Sequence, residues 1–581
     1  MTHEDAKDLQ STESAKPAVS RRGFLGGVGA TVGALAAAGL PAVGGSDAEA
    51  EELAPFPGDE RRNQAYKVRQ DAAQAEKQRP IQAGLTNGDE ELYPNRIANF
   101  SKCLPHHPVT GEVDPAAYQA MRDAIDSGSF AAFDAVPKAG TFRLANPLGG
   151  LGFNLEGPDN RAVLAPPPHR LDSAELAAEM AELYWMALCR DVPFTEWGSD
   201  PTIAAACADL QAMPGYTGPR DAMGNVTPQV IFRAALPGVT NGPIVSQFLM
   251  RGFVYDGIFV EEPKMLLPLP GEDFLTFFPE AMNARNGWPN GNPGFSGTFD
   301  PVRRYPRSMR DLGQLGAQDM VASAYQRAIH IFRASIGGVL MDENWPYHGN
   351  HMQVGFATFG LGDLCTQVGA VCQGERPVWY SKWNLHRTLR PEEFSFLVHR
   401  VVADGADYPI HPSLLASEAL PRIFEHNRAR NVVRGLGNVG TYLLPMSIRE
   451  GAPTHPSYPA GHAITAGACA TVLKAWFREG VGFPGPRQPT ADGTGFTAVS
   501  GAGITIGSEL NKLAFATTHG RDMSGIHWRM DGVAGLAMGE EVAIRYLQER
   551  VRTYPEPFAG YRLTKFDGSA VVVSGDGVFP A

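Results

Sequence analysis

The chain has 581 residues, of which 43% are hydrophobic and 19% are charged, and its formal net charge is −12. This length allows a large core, and the balance of residue types is that of a globular protein. The net negative charge argues against a general nucleic-acid binder, which normally presents a basic face. After the first fifty residues no stretch is apolar enough to span a membrane, so we expect no stable membrane association after export.

Residues 1–50 have the pattern of a twin-arginine export signal. An arginine pair in SRRGFL is followed by a weakly apolar Gly/Ala-rich run, and residues 47–50 (DAEA) resemble a cleavage site. A disordered basic tail or a membrane anchor is the alternative interpretation. The export signal accounts for all three features in order, so it predicts a mature chain that begins near Glu51 and is secreted or extracytoplasmic.

The rest of the chain is expected to be mainly α-helical. Residues 51–115 are polar and contain prolines, which predicts an N-terminal arm or surface wrap, and residues 116–581 are expected to form the catalytic domain. Asp172 or Ser173 is a candidate N-cap, and residues 569–575 (SAVVVSG) predict a strand. Helical spacing or terminal glycines predict helices in four segments: 172–192, 319–338, 461–480 and 532–551.

Six cysteines are present, and their spacing does not indicate a metal site. The nearest pair, Cys365 and Cys372, is seven residues apart, which suits no zinc-ligand spacing. Export would permit disulfides, but the sequence assigns none.

Three segments carry residues with catalytic chemistry. In SKWNLHRTLRPEEF, Lys382, His386 and Arg390 recur every four residues, so on a helix they would share one face. Pro391 makes continuation of a regular helix through this point unfavourable. Alone, this pattern is more typical of a solvated basic helix face than of a site.

The second segment, THPSYPAGHAIT, places Gly461 and His462 at the start of an apolar helix, behind a loop stiffened by prolines. The third, HGRDMSGIHWRMDG, contains Arg521, His527 and Asp531. Alone, the third segment could be a loop with a structural Arg–Asp pair.

Together the three segments predict a site for a phosphate-shaped anion. Guanidinium and ammonium groups bind tetrahedral oxyanions, and the first N–H groups of a helix at Gly461 add donors. His527 could bond to the central atom, while Asp531 accepts its other ring N–H and fixes the tautomer. Permanent positive charge comes from Lys382, Arg390 and Arg521.

The three segments resemble the signature of the vanadium-dependent haloperoxidases and of their relatives, the PAP2-type acid phosphatases. The resemblance is clearest over residues 375–550. Seven residues separate Lys382 from Arg390, as in algal and bacterial haloperoxidases, whereas the phosphatases usually have six. The segments KWNLHRTLRPE and HPSYPAGHA are close to the haloperoxidase motifs, and the Gly/Ala-rich composition and the export signal resemble those of bacterial, actinomycete-like members.

The resemblance implies a mainly α fold of two packed four-helix bundles that binds vanadate. In it, His527 would be the axial metal ligand, and His462 would be the general acid/base. Lys382 would also polarise bound peroxide. His455 matches an additional active-site histidine of algal bromoperoxidases, although it could equally be a loop histidine without a role. The resemblance also implies that the oxygens of vanadate are bound by Lys382, Arg390, Gly461, His462 and Arg521. His386 and Asp531 would support the residues that contact the vanadate.

The implied activity is the oxidation of chloride or bromide by hydrogen peroxide, which halogenates small organic molecules such as terpenoid or aromatic natural products. The vanadium would act as a Lewis acid. Related proteins are commonly homodimers, so a homodimer is expected. The sequence does not determine the preferred halide or the organic substrate.

One substitution departs from the family pattern. The serine that normally precedes Gly461 is Ala460 here, which removes a hydroxyl donor to vanadate. Losing one bond to a charged group costs about 1.5–3 kcal/mol, so anion affinity falls about tenfold or more. Phosphate would take the place of vanadate if this change abolished vanadate use. Two alternatives therefore stay open: a non-halogenating α-hydroxyketone isomerase, and a phosphatase with a phosphohistidine at His527.

Overall fold

The computed structural model describes residues 58–255, 257–290, 299–318, 322–336 and 341–581, without the side chains of 318, 335 and 336. The predicted export signal, residues 1–50, lies outside the described residues. The chain divides into two units, Met1–Lys67 and Val68–Ala581, and the structure describes only residues 58–67 of the first.

Helices dominate the described residues, which confirms the prediction of a mainly α protein. The first eight α-helices are α1 Gly58–Lys77, α2 Asp89–Leu92, α3 Pro115–Ser127, α4 Ala174–Cys189, α5 Pro201–Ala212, α6 Phe278–Arg285, α7 Met309–Gln318 and α8 Ser323–Ile331. The next eight are α9 Leu361–Val371, α10 Glu375–Tyr380, α11 Pro391–Asp404, α12 Pro412–Leu415, α13 Ala419–Val433, α14 Gly461–Trp476, α15 Ile506–Met523 and α16 Arg529–Val551. Among these helices, none combines the length and hydrophobicity needed to cross a membrane.

The strands of the described residues are short and lie in three antiparallel sheets. They are β1 Phe253–Tyr255, β2 Phe259–Glu261, β3 Arg487–Pro489, β4 Phe496–Ala498, β5 Tyr561–Thr564, β6 Ala570–Val573 and β7 Val578–Pro580. β1 pairs with β2 and β3 with β4, while β6 lies between β5 and β7 with Val571 opposite both Leu563 and Pro580.

The centre of the core is formed by α14, α15 and α16. Every residue of α15 is buried, and α14 is buried except at His462. Glycines allow α14 and α16 to approach closely: a Cβ on Gly539 would lie 2.2 Å from the carbonyl oxygen of Ile464. A Cβ on Gly467 would likewise lie 2.4 Å from the carbonyl oxygen of Leu536. Small residues therefore fix how the N-terminus of α14 is placed against α16.

The helices predicted over 172–192, 461–480 and 532–551 are observed as α4, α14 and α16, and the predicted strand is β6. Ser173 is the N-cap of α4, since its side chain accepts a bond from the amide of Leu176. Over 319–338, the structure has α8 followed by a π-helical turn, Phe332–Ile336. Both ends of that predicted segment, Asp319 and Gly338, lie outside the described residues.

Lys382, His386 and Arg390 do not share one helix face, because no regular helix runs from Lys382 through Arg390, as Pro391 indicated. α10 ends at Tyr380 and is followed by a π-helical turn, Ser381–His386. The chain then reverses at Arg387, whose φ is 42°. Arg390 is the extended N-cap of α11, because the proline that follows it has no N–H and disfavours a helical conformation before it.

Candidate active site

The PSYPAGH segment lies at the N-terminus of α14. Ala460 is the extended N-cap, and its amide donates a 3.0 Å bond to the carbonyl of Asp531. The first helical bond forms between the amide of Ile464 and the carbonyl of Ala460, and the amides before it have no acceptor within the helix. A Cβ on Gly461 would lie 3.0 Å from the Trp379 ring, which explains the small residue here.

Lys382 is fully buried in the π-helical turn. Its Nζ donates bonds of 2.8 Å and 2.6 Å to the carbonyls of Pro456 and Ser457. It also lies 5.9 Å from the centre of the Trp379 ring. These contacts hold the ammonium group against the PSYPAGH segment instead of in solvent.

Arg390 is also fully buried and joins the second and third sequence motifs. Its Nε and Nη2 donate to the carbonyl of His455 at 3.0 Å and 2.8 Å, and its Nη1 donates to the carbonyl of Ile526 at 3.1 Å. The same Nη1 lies 3.0 Å from Nε2 of His527. The guanidinium therefore lies between the two imidazole-bearing segments.

His527 is held by Asp531, four residues later at the start of α16. Its Nδ1 lies 2.6 Å from Oδ2 of Asp531, which also accepts bonds from Ser457 Oγ and from the amide of Trp528. A carboxylate only accepts, so the ring proton lies on Nδ1. Nε2 consequently carries the lone pair that a metal would use.

Arg521 lies in the last turn of α15, and its Nη1 donates to the carbonyl of Gly316 at 3.1 Å. Its positive charge lowers the pKa values of Lys382 and His527. The structure therefore brings Arg521 close to the other two cations, as the sequence predicted.

Burial and like charge together destabilise the protonated bases of this cluster. Burial, followed by the charge of Arg390, lowers the pKa of Lys382 well below its usual range. Burial, followed by the charge of Arg390, also lowers the pKa of His527 well below its usual range. Burial raises the pKa of Asp531 to about 6. Lys382 thus faces two guanidiniums and one carboxylate, and a bound anion would compensate the excess positive charge.

The three remaining histidines of the prediction lie in different environments. His455 is buried, its Nδ1 is 3.0 Å from Nη2 of Arg390, and its ring centre is 4.9 Å from that of Trp379. His462 is half-buried on the first turn of α14. His386 packs edge-on against the ring of Tyr458, and burial lowers its pKa to about 4.

Two site contacts were missed by the sequence analysis. Ser457 bonds to Asp531, and Trp379 packs against Gly461, His455 and Lys382. Trp379 precedes Lys382 by three residues, and this helical spacing could have indicated that the two side chains lie on the same side of the chain. Ser457 stood in the quoted motif, but its partner is 74 residues away and only the fold brings the two together.

A cleft of about 980 Å³ lies beside the site and includes Thr454, the residue directly before His455. The amide of Ala145 donates a 2.9 Å bond to the carbonyl of Thr454, and Trp379 Nε1 donates to the carbonyl of Ala145 at 3.4 Å. These bonds connect the cleft wall to the site. The cleft is lined mainly by apolar side chains, including Phe130, Phe133, Phe142 and Leu144, with charges from Asp134, Lys138 and Arg143.

These residues fit an oxyanion that contains a metal, such as vanadate. Buried cations and helix amides match its oxygens, and Nε2 of His527 offers one nitrogen ligand. Within the described ranges, no cluster of three or more His, Cys, Asp or Glu side chains could hold a metal cation. Ala460 is buried at the helix N-cap and provides no hydroxyl donor.

A mainly helical protein with a buried imidazole and three cations at a helix N-terminus fits the class of haloperoxidases and related phosphatases that the sequence motifs resemble. The comparisons with known proteins agree. The model of the VCPO second helical-bundle domain matches residues 440–556. A vanadium-dependent bromoperoxidase of Ascophyllum nodosum is 36% identical over 548 residues, covering 90% of this chain and 94% of that protein. A vanadium-dependent bromoperoxidase of Corallina pilulifera is 32% identical, and the match covers 88% of this chain and 98% of that protein.

A solved homohexameric structure of a second vanadate-dependent bromoperoxidase from Ascophyllum nodosum has a TM-score of 0.85 and 34% identity. It covers 94% of this chain and 96% of that one. The chain therefore belongs to the vanadium-dependent bromoperoxidase family, and it is a haloperoxidase enzyme. The family relationship implies vanadate as its cofactor.

Proposed function

We propose that this enzyme uses vanadate and hydrogen peroxide to oxidise bromide and to halogenate small organic molecules. The observation that carries the proposal is the buried cation cluster around Nε2 of His527. Its relatives are named as bromoperoxidases, which favours bromide over chloride. Vanadate, when bound, supplies Lewis-acid activation of peroxide.

The chain's own residues have separate tasks in this proposal. Lys382, Arg390 and Arg521 balance the negative charge of the oxyanion in a site from which water is excluded. His527 provides the nitrogen ligand, and Asp531 keeps its proton on Nδ1. Lys382 would also donate to the peroxide with its third N–H, since Nζ uses the other two on the carbonyls of Pro456 and Ser457.

His462 is proposed to transfer protons to and from the peroxide. It lies on the first turn of α14, and unlike the other α14 residues it is half-buried, so part of its ring is within reach of solvent. His455 is proposed to help position the halide and not to carry charge, because burial lowers its pKa well below the usual range and the charges of Lys382 and Arg390 lower it further.

The non-halogenating isomerase and the phosphatase are not favoured, since the relatives that match most of the chain are bromoperoxidases. A different bound anion is still considered because Ala460 lacks the hydroxyl group of the usual serine. Phosphate would replace vanadate only if the missing hydroxyl removed vanadate binding. The deciding experiment is peroxide-dependent bromination of a phenolic dye after vanadate loading. Inactivity with every halide, together with rapid phosphomonoester hydrolysis, would overturn the proposal.

The cleft beside Thr454 is proposed to hold the organic substrate. Its aromatic side chains suit an aromatic or terpenoid skeleton, and Lys138 and Arg143 outnumber Asp134, which favours a substrate with an anionic group. The bonds of Ala145 to Thr454 and of Trp379 to Ala145 support this proposal, because they connect the cleft wall to residues beside the cation cluster. Halogenation would then occur next to the site, before the oxidised halide diffuses away.

We further propose that the enzyme is exported by the twin-arginine route and assembles from identical copies. The arginine pair and cleavage pattern of residues 1–50 support export. A similar solved protein is a homohexamer, so the predicted dimer is one of two assemblies to distinguish by light scattering of the purified protein. Detection of the unprocessed chain solely in the cytoplasm would contradict export.

A further inference from the structure

Two cysteine sulfurs from distant parts of the chain lie close together. Sγ of Cys372 is 3.9 Å from Sγ of Cys469, although the residues are 97 positions apart. Both sulfurs also approach the carbonyl oxygen of Val368, at 3.3 Å and 3.7 Å. The structure has both as thiols. A disulfide has a sulfur separation of about 2.0 Å, so the two sulfurs would have to move about 2 Å closer to form one.

We propose that Cys372 and Cys469 are oxidised to a disulfide by the enzyme's own co-substrate, hydrogen peroxide. Cys372 is half-buried and Cys469 is fully buried, so Cys372 is the sulfur that peroxide reaches first. Its thiolate attacks one peroxide oxygen, so that an S–O bond forms and the O–O bond breaks. The leaving hydroxide takes up the proton released by the thiol and departs as water, and Cys372 becomes a sulfenic acid. The Cys469 sulfur then displaces the sulfenic oxygen, which leaves as a second water, and the S–S bond forms.

The disulfide would close the chain segment that carries most of the site. Residues 372–469 include Lys382, Arg390, His455, Gly461 and His462. Cys372 follows α9 directly, and Cys469 lies on α14, eight residues or about 12 Å after Gly461. Closing this segment would restrict the unfolded chain and fasten α14 to the end of α9.

The bond would also protect the thiols from the enzyme's own reagents. A half-buried thiol that meets peroxide without a nearby partner proceeds to sulfinic and sulfonic acids, which are irreversible. With Cys469 at 3.9 Å, the sulfenic acid is captured first. The proposal does not depend on vanadate or halide, so it can fail while the haloperoxidase function stands.

The test is peptide mapping of the full-length protein after treatment with peroxide alone, followed by alkylation under denaturing, non-reducing conditions. We expect one cross-linked species whose mass is about 2 Da below the sum of the two thiol peptides. Cys103 and Cys207 serve as internal controls, because burial raises the pKa of each thiol to about 11, and both should be recovered alkylated.

A C469S variant provides the second arm. It should lose the cross-link and accumulate Cys372 sulfinic acid, while its initial bromination rate stays that of the parent. Reduction should lower the thermal midpoint of the oxidised parent by about 5 °C and leave C469S unchanged. Recovery of both cysteines as alkylated thiols after peroxide, or of Cys372 sulfinic acid in the parent, would overturn the proposal.

Discussion

The Nδ1 atom of His527 lies 2.6 Å from Oδ2 of Asp531, within the cation cluster. A second buried pair, His519 and Asp522, has the same 2.6 Å separation. Burial lowers the pKa of His519, and the charge that lowers it further is that of Arg529, not of the site cations. The chain thus contains two buried histidine–aspartate contacts of the same length. One lies within the cation cluster, and the other involves a histidine whose pKa the site cations do not lower.

Asp531→Asn is expected to weaken vanadate binding by about 10- to 100-fold, because an amide no longer fixes the proton of His527 on Nδ1. The measurement is vanadate titration of the apoprotein followed by bromination. Asp522→Asn is the control, and it should reduce stability without changing vanadate affinity. Equal loss of affinity in both variants would mean that Asp531 acts through folding and does not orient the ligand.

Ala460→Ser is expected to strengthen vanadate binding by about tenfold, since the hydroxyl adds one bond to a charged group. Serine also caps a helix better than alanine, which stabilises the protein by about 1 kcal/mol whether or not vanadate is bound. Thermal melts with and without vanadate separate the two effects. A gain of stability that is identical in both melts would show that the hydroxyl does not reach the anion.

Gly539→Ala is expected to destabilise the protein by about 1–3 kcal/mol, because its new methyl group would overlap the carbonyl of Ile464 and force α14 away from α16. The control is Gly369→Ala in α9, where a Cβ would meet no atom within 4 Å. That variant should be neutral or more stable, since alanine favours helix. Denaturant unfolding measures both changes.

Glu90→Gln is expected to cost about 3–5 kcal/mol, because it leaves the buried guanidinium of Arg387 without its carboxylate. Arg387 ends the turn that carries Lys382, so vanadate affinity should fall as well. The control is Glu91→Gln at the neighbouring exposed position, which should change neither quantity. Denaturant unfolding and vanadate titration are the measurements.

The same pair predicts a dependence on pH. The hydrogen bond and charge of Arg387 lower the pKa of Glu90 from 4.5 to about 2, against the opposing effect of burial. A carboxylate with a lowered pKa in the folded state stabilises the protein fully above its unfolded pKa. This contribution is therefore lost as pH falls from about 4.5 towards 2, and Glu90→Gln should flatten the stability profile over that range.

Phe130→Ala is expected to raise the KM for an aromatic acceptor several-fold and to leave peroxide-dependent tribromide formation unchanged. The reason is that Phe130 lines the cleft while 82% exposed, so its loss removes substrate contact without a cavity in the core. Phe153→Ala, at an 84% exposed position that is not part of the cleft lining, is the control. An unchanged KM in Phe130→Ala would indicate that the oxidised halide acts in solution.

The family and the chemistry were predictable from local sequence. Helical spacing gave α4, α14 and α16, and the motifs identified the three cations, His527 and the helix N-terminus at Gly461. Pro391 also indicated that Lys382 and Arg390 do not lie on one regular helix, and they lie on different elements. The π-helical turn that carries Lys382 was not predicted, and Arg387, which follows it, pairs with Glu90, a residue far away in the sequence.

What the sequence determined by itself was which groups are present: residue types and short spacings specify charge, lone pairs and helix starts. What only the tertiary structure decided was which groups meet. Ser457 reaches Asp531, Trp379 covers Gly461, and the sulfur of Cys372 approaches that of Cys469 across 97 residues. Such contacts depend on how close α14 and its neighbours pack, and that distance is set by the summed shapes of side chains distant in sequence.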